Sequence, residues 1–142
     1  MKNIDLLLKK FKSKYPSTIA WRIDKHAEVV KNHLNKGEEV LYAFAAQKNK
    51  GVTEIFFSCV VVLTNKRLLI GHKRVVPGYF LYSITPEMYN DLTVKAGLIW
   101  GNIVIDTVKE VIELSNISKS ALDEIETNVT EFMMKEKKNN NK

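Results

Sequence analysis

The sequence predicts an α+β domain in which about seven antiparallel strands form a small barrel, with two helices before them and one after. Three observations carry this. Residues 3–36 place apolar side chains at helical spacing. Residues 39–114 hold runs of β-branched and aromatic residues, about ten positions apart and separated by short turns. From Ser118 onward the helical spacing returns. A parallel sheet would need crossover helices between strands, and the middle zone has none.

The elements follow in order. Ile4, Leu7, Leu8, Phe11 and Tyr15 make one stripe of a first helix, with Lys9, Lys10, Lys12 and Lys14 mostly off it. Tyr15-Pro16 ends that helix, because a residue before proline avoids the helical region. Ser17 is then placed to cap a second helix. Its face would be Ile19, Ile23, Ala27, Val30 and Leu34, and Gly37 would supply a left-handed stop. Strands are predicted at 39–47, 54–63, 67–71, 79–84, 91–96, 99–106 and 109–114. Lys48-Asn49-Lys50-Gly51 and Thr64-Asn65-Lys66 are turns, and Thr85-Pro86-Glu87-Met88-Tyr89-Asn90 is a longer connection. Leu122, Ile125, Val129, Phe132 and Met133 then form the face of the last helix, with Ser120 and Asp123 as a capping pair.

Composition bounds the function. A chain of 142 residues with 45% apolar and 27% charged residues is one packed domain. It is too short for a two-domain cofactor enzyme. One cysteine, Cys59, excludes an internal disulfide and reads as a small buried hydrophobe in the run 55–63. No secretory signal is visible, and no apolar run approaches the ~20 residues of a membrane span, so the expected location is the cytoplasm. The net charge of +6 is unevenly placed. Residues 1–50 carry 11 basic and 5 acidic residues, whereas residues 101–142 carry 6 and 8. The basic excess therefore suggests a local anion-facing surface near the front of the chain.

Three segments resemble a known family. They are Gly37-Glu38-Glu39-Val40-Leu41, then Val62-Leu63-Thr64-Asn65-Lys66-Arg67-Leu68-Leu69-Ile70, then Gly97-Leu98-Ile99-Trp100-Gly101-Asn102. Together they are similar to the bacterial pleckstrin-homology-like family, of the YokE-like kind, over about residues 37–133. The resemblance implies a PH-like barrel of about seven strands, closed at one end by the C-terminal helix, with Leu122, Ile125, Val129 and Phe132 as the plug. It implies an organisation of residues 1–36 as a helical extension, 37–134 as the PH-like domain and 135–142 as a disordered tail.

No motif for catalysis, cofactor or metal is present. There is no P-loop, no G-x-S-x-G, no HExxH and no CxxC. His26 and His33 lie two turns apart on one helix, and His72 is in the strand zone. Glu38-Glu39 and Asp123-Glu124 read as adjacent surface carboxylates, which do not supply the shared pocket that acid–base chemistry needs. The expectation is a non-enzymatic interaction module that binds protein or associates with itself, without cofactor or metal. Its candidate partner contacts are the sheet edges and Leu7, Leu8 and Phe11. An added strand at a sheet edge would leave no motif. The alternative is peripheral binding to an anionic membrane through the first helix and the Lys48–Lys50 turn. Candidate anion or lipid contacts are Lys9, Lys10, Lys12, Lys14, Lys48, Lys50, Lys73 and Arg74. Nucleic acid is disfavoured, since Tyr15, Trp21 and Tyr42 form no RNP-like motif and Trp21 and Tyr42 fall near core positions.

Overall fold

The computed structural model describes residues 3–48, 57–75 and 77–140. Two helices, α1 (Ile4–Lys14) and α2 (Ile23–Lys31), precede seven strands. The strands are β1 (Val40–Lys48), β2 (Phe57–Thr64), β3 (Leu68–Lys73), β4 (Tyr79–Ile84), β5 (Tyr89–Ala96), β6 (Trp100–Thr107) and β7 (Val111–Ser118). A short 3-10 turn at Lys119–Ala121 leads into α3 (Leu122–Asn140). All pairings are antiparallel, in the order β4-β3-β2-β1-β7-β6-β5. The α+β, PH-like architecture expected from the sequence is the one observed.

The sheet curls, and its two halves meet only briefly. β1 pairs with β2 along its length, with an irregularity between Val40 and Tyr42. Its pairing with β7 is confined to Gln47 and Lys48, opposite Ser115 and Leu114. The concave side encloses the larger core. Phe44, Val61, Leu68 and Ile70 from one half meet Ile103, Ile105 and Leu114 from the other. α3 closes this core with Leu122, Ile125, Val129 and Met133, while Phe132 is only half-buried at its margin.

A second core lies on the convex side of β1–β3. Ile4 and Leu8 of α1 and Ala27 and Val30 of α2 pack on Val40, Ala43, Val60, Val62 and Leu69. The N-terminal helices therefore form part of the domain's packing. α2 lies so close to β3 that a Cβ on Gly71 would sit 2.8 Å from Val30 Cγ2 and 3.1 Å from the His26 carbonyl oxygen.

Several boundaries differ from those predicted. α1 behaves as expected: Asn3 caps it by accepting the Asp5 N–H at 2.8 Å, and Tyr15 leaves the helical region before Pro16. The second helix begins at Ile23, not at Ser17. Residues 18–21 spend their polar groups on the sheet instead. Thr18 Oγ1 accepts the Ser118 N–H, Ile19 donates to the Asn116 carbonyl at 2.9 Å, and Trp21 N–H donates to Ser58 Oγ at 2.7 Å. Gly37 does hold φ +80, but in the turn into β1, well past the helix end at Lys31. β7 continues to Ser118 rather than stopping near 114, and Asn116 takes a left-handed φ of 57 within it. α3 runs through Asn140, so residues 135–140, expected as a disordered tail, are helical. Among the described residues, no helix is long and apolar enough to cross a membrane.

Candidate functional site

The segment that most resembles a family signature serves the fold. Arg67 grips the buried Glu38 carboxylate with two nitrogens, Nε to Oε2 at 3.0 Å and Nη2 to Oε1 at 3.1 Å. It also donates to the His33 carbonyl and to Ser83 Oγ. Thr64 Oγ1 donates to Glu38 at 2.6 Å and accepts the N–H groups of Lys66 and Arg67. Asn65 and Glu39 bond each other through Oδ1 and backbone. One ion pair thus joins the α2–β1 turn, the β2–β3 turn and β4. Burial alone would raise the Glu38 carboxyl, but the Arg67, Asn35 and Thr64 hydrogen bonds outweigh it and hold it below the usual carboxylate range. The expectation of an exposed Glu38 is corrected accordingly.

The α1 residues divide into those already used and those that face outward. Leu8 and Phe11, expected as partner contacts, are buried in the two cores, because their stripe lies against β1. Leu7 is half-buried. The large apolar side chain α1 does expose is Leu6. In this fold the apolar face of α1 is covered by the sheet. Lys12 Nζ caps the Pro16 and Thr18 carbonyls. Lys14 Nζ bonds Glu124 Oε1 at 2.6 Å. Lys9 lines a shallow groove of 350 Å³ with Asp5, Lys12 and Asp24.

Leu7, Lys10, Phe11 and Lys14 do come together, along a groove of 230 Å³ between α1, β1 and α3. At its edge Glu124 accepts hydrogen bonds from Lys14, Tyr15 Oη at 3.0 Å and Tyr42 Oη at 2.8 Å. Burial alone would raise the Glu124 carboxyl, but these three donors outweigh it and hold the group below its ordinary value. Burial first, then Glu124, pushes the Tyr42 phenol far up. The groove is thus stapled by satisfied polar groups, and Glu124, expected on an open surface, is one of them.

Lys48, Lys73 and Arg74 gather around a separate aromatic cluster at the ends of β1, β3 and β4. Lys48 Nζ lies 5.0 Å from the Tyr82 ring centre and 5.9 Å from Phe57, and the Arg74 guanidinium lies 5.6 Å from Phe80. The Lys73 N–H donates to His26 Nδ1 at 2.8 Å. Lys50 lies outside the described residues. His26 is buried and stacks on His72 with ring centres 4.8 Å apart. Burial first, then His72 and Arg22, lower its value to about 4. Among the described residues, no group of three or more His, Cys, Asp and Glu could hold a metal. Cys59 is fully buried and its thiol is pushed up to about 12, which removes it from nucleophilic use at neutral pH.

One surface escapes a residue-by-residue reading of the sequence. Among the described residues, β4 ends the sheet and pairs with β3 alone. Beside it runs a groove of 320 Å³, lined on one side by Leu81, Tyr82 and Ile84 and on the other by Thr107, Lys109 and Ile112. The signal is the long connection at 85–88, which marks where the meander breaks. The edge itself has no signature, since any sequence supplies backbone donors and acceptors.

A family model described as a bacterial PH domain matches residues 34–131. Searches of curated proteins and of solved structures return no match. The family match runs from the turn before β1 into α3 and takes in the Glu38–Arg67 pair, the whole curled sheet and the α3 plug. On that ground the chain belongs to the bacterial PH domain family.

Proposed function

We propose that this bacterial PH-like domain is a non-catalytic, cytoplasmic interaction module that takes an extended segment of a partner protein along β4. The observation that carries the reading is that β4, one of the two terminal strands, pairs with β3 alone among the described residues and lies beside a groove of 320 Å³. A strand laid there gains main-chain hydrogen bonds from the β4 edge, and its alternate side chains drop into the groove. Lys109 and Glu110 on the far wall offer both signs of charge, so strong selection by net charge is not expected. The non-catalytic part rests on the carboxylates. Glu38 and Glu124 are each engaged by cations and hydroxyls, which ties both carboxylates to structural roles.

Random peptides displayed against the folded chain test this, with hits mapped by backbone amide shifts. Hits that perturb residues 79–84 together with 107–112 support the reading. Hits that map elsewhere, or no hits, overturn it. A second copy of the chain occupying the same edge would appear as concentration-dependent shifts without added peptide.

A further inference from the structure

The β5–β6 hairpin ends in an apolar apex. Ala96 faces Gly101 across the hairpin, and the Gly97 N–H donates to the Trp100 carbonyl at 2.8 Å, leaving Leu98 and Ile99 as the two loop residues. Leu98 is 91% exposed, Ile99 51% and Trp100 38%. Such loops ordinarily carry Asn, Asp or Gly, which suit the backbone and the solvent. Leucine and isoleucine at this position bury little within the chain and put apolar surface into water.

The apex is also held in place. Trp100 Nε1 donates to the Ser17 carbonyl at 2.6 Å, and the Lys119 N–H donates to the Ile99 carbonyl at 2.9 Å. A Cβ on Gly97 would meet the Trp100 carbonyl oxygen at 2.6 Å, so the close approach there needs glycine. The linker between α1 and α2 and the 3-10 turn before α3 therefore brace the tip from both sides.

Exposed lysines flank the tip. Lys95, opposite Asn102, and Lys119 are both exposed, and Lys12 sits on the carbonyls that flank Ser17. Asp123, in the first turn of α3, is the exposed carboxylate nearest Lys119 along the chain. A convex apolar point has no groove to receive a peptide side chain. With Lys95 and Lys119 exposed beside it, and with Glu113 engaged by the Asn102 amide at 3.2 Å, it matches a surface that is apolar beneath and anionic on top.

We propose that the β5–β6 tip is a docking point for anionic lipid bilayers. Leu98 and Ile99 enter the acyl boundary, Trp100 rests at the headgroup level, and Lys95 and Lys119 meet lipid phosphates. This surface shares no residue with the β4 groove or with the apolar face of α1.

Sedimentation of the full chain with vesicles of equimolar phosphatidylglycerol and phosphatidylcholine tests the proposal, with pure phosphatidylcholine vesicles alongside. The anionic vesicles should bind the chain more strongly, and added salt should weaken that binding. The double variant Leu98→Asn/Ile99→Gly replaces the two exposed aliphatic side chains with residues common in turns, and circular dichroism checks that it folds. Its vesicle affinity should fall by about tenfold or more, the effect of removing two buried aliphatic side chains. Lys95→Gln/Lys119→Gln should bring anionic vesicles toward the phosphatidylcholine level. In a Trp21→Phe background the Trp100 emission should shift to the blue on anionic vesicles, a readout that needs no variant at the tip. Failure of the wild-type chain to bind anionic vesicles, equal binding by the folded Leu98→Asn/Ile99→Gly variant, or an unmoved Trp100 emission would each overturn the proposal.

Discussion

β2 and β5 are both eight-residue strands of one sheet, yet they are opposite in burial. Every residue of β2 from Ser58 to Thr64 is buried, while β5 buries only Tyr89 and Leu92. The difference is what lies on the convex side. α1 and α2 cover β1–β3, so β2 has a core on each face. β5 rests one face on the larger core and α3 and turns the other to solvent. A sandwiched strand is apolar along nearly its whole length, whereas a one-sided strand alternates. The covered half is therefore where substitution should be costly, and the bare half is where the chain has surface to spare for partners.

The comparison breaks first under charge. Val62→Asp puts a carboxylate between β2 and the N-terminal helices, and should cost about 4 kcal/mol or more, enough to unfold a domain of ordinary stability. Thr93→Asp, on the exposed face of β5, should stay within about 0.5 kcal/mol. Urea unfolding of the two variants measures the contrast. If both are equally mild, the convex core does not exist as described.

Next in size is the pair that locks the covered half. Glu38→Gln leaves the Arg67 guanidinium facing a neutral amide and should cost about 3 kcal/mol. Leu8→Ala opens a cavity under α1 at about 2–3 kcal/mol, whereas Leu6→Ala, on the exposed side of the same helix, should be nearly neutral. Equal effects at positions 6 and 8 would mean that α1 does not pack through its apolar stripe.

The smallest effect is tied to pH. His26 lies between α2 and β3, where it accepts the Lys73 N–H and faces His72, Arg22 and Asp24. In the folded chain it resists protonation until about pH 4, against an ordinary value of 6.5. Its contribution is complete above that ordinary value. As the pH falls through 6.5 the unfolded chain takes up the proton first, and by pH 4.5 the native state should lose about 2–3 kcal/mol from this residue. Urea midpoints at pH 7.5 and 4.5 should differ more for wild type than for His26→Asn. The same acid loss in both would assign it to other groups.

Legibility follows the same divide. The seven strands, the stripe of α1 and the α3 plug can be read because each is a local pattern of apolar spacing. The apolar run 59–63 is legible as a strand, though not what covers its second side. The sequence predicts too long an α2 because Ile19 continues its apolar spacing. Nothing local announces that Thr18 and Trp21 will bond residues that lie 100 and 37 positions away in sequence. Glu38 reads as half of a surface carboxylate pair because its partner, Arg67, stands 29 residues on. Lys12 and Lys14 read as free for anions for the same reason: their carbonyl and carboxylate partners are set by how α1 lands. The β4 edge is legible only as a break in the meander.

By itself the sequence determined the elements and their antiparallel pairing, because periodicity and turn chemistry act over a few residues, and three of its segments carried the family resemblance. The tertiary structure decided which apolar faces were consumed and which charges were neutralised. It buried Leu8 and Phe11, paired Glu38 with Arg67, and left the β4 edge and the Leu98–Trp100 tip uncovered. Exposure is a property of what packs against a residue, and that partner is fixed only when distant segments meet.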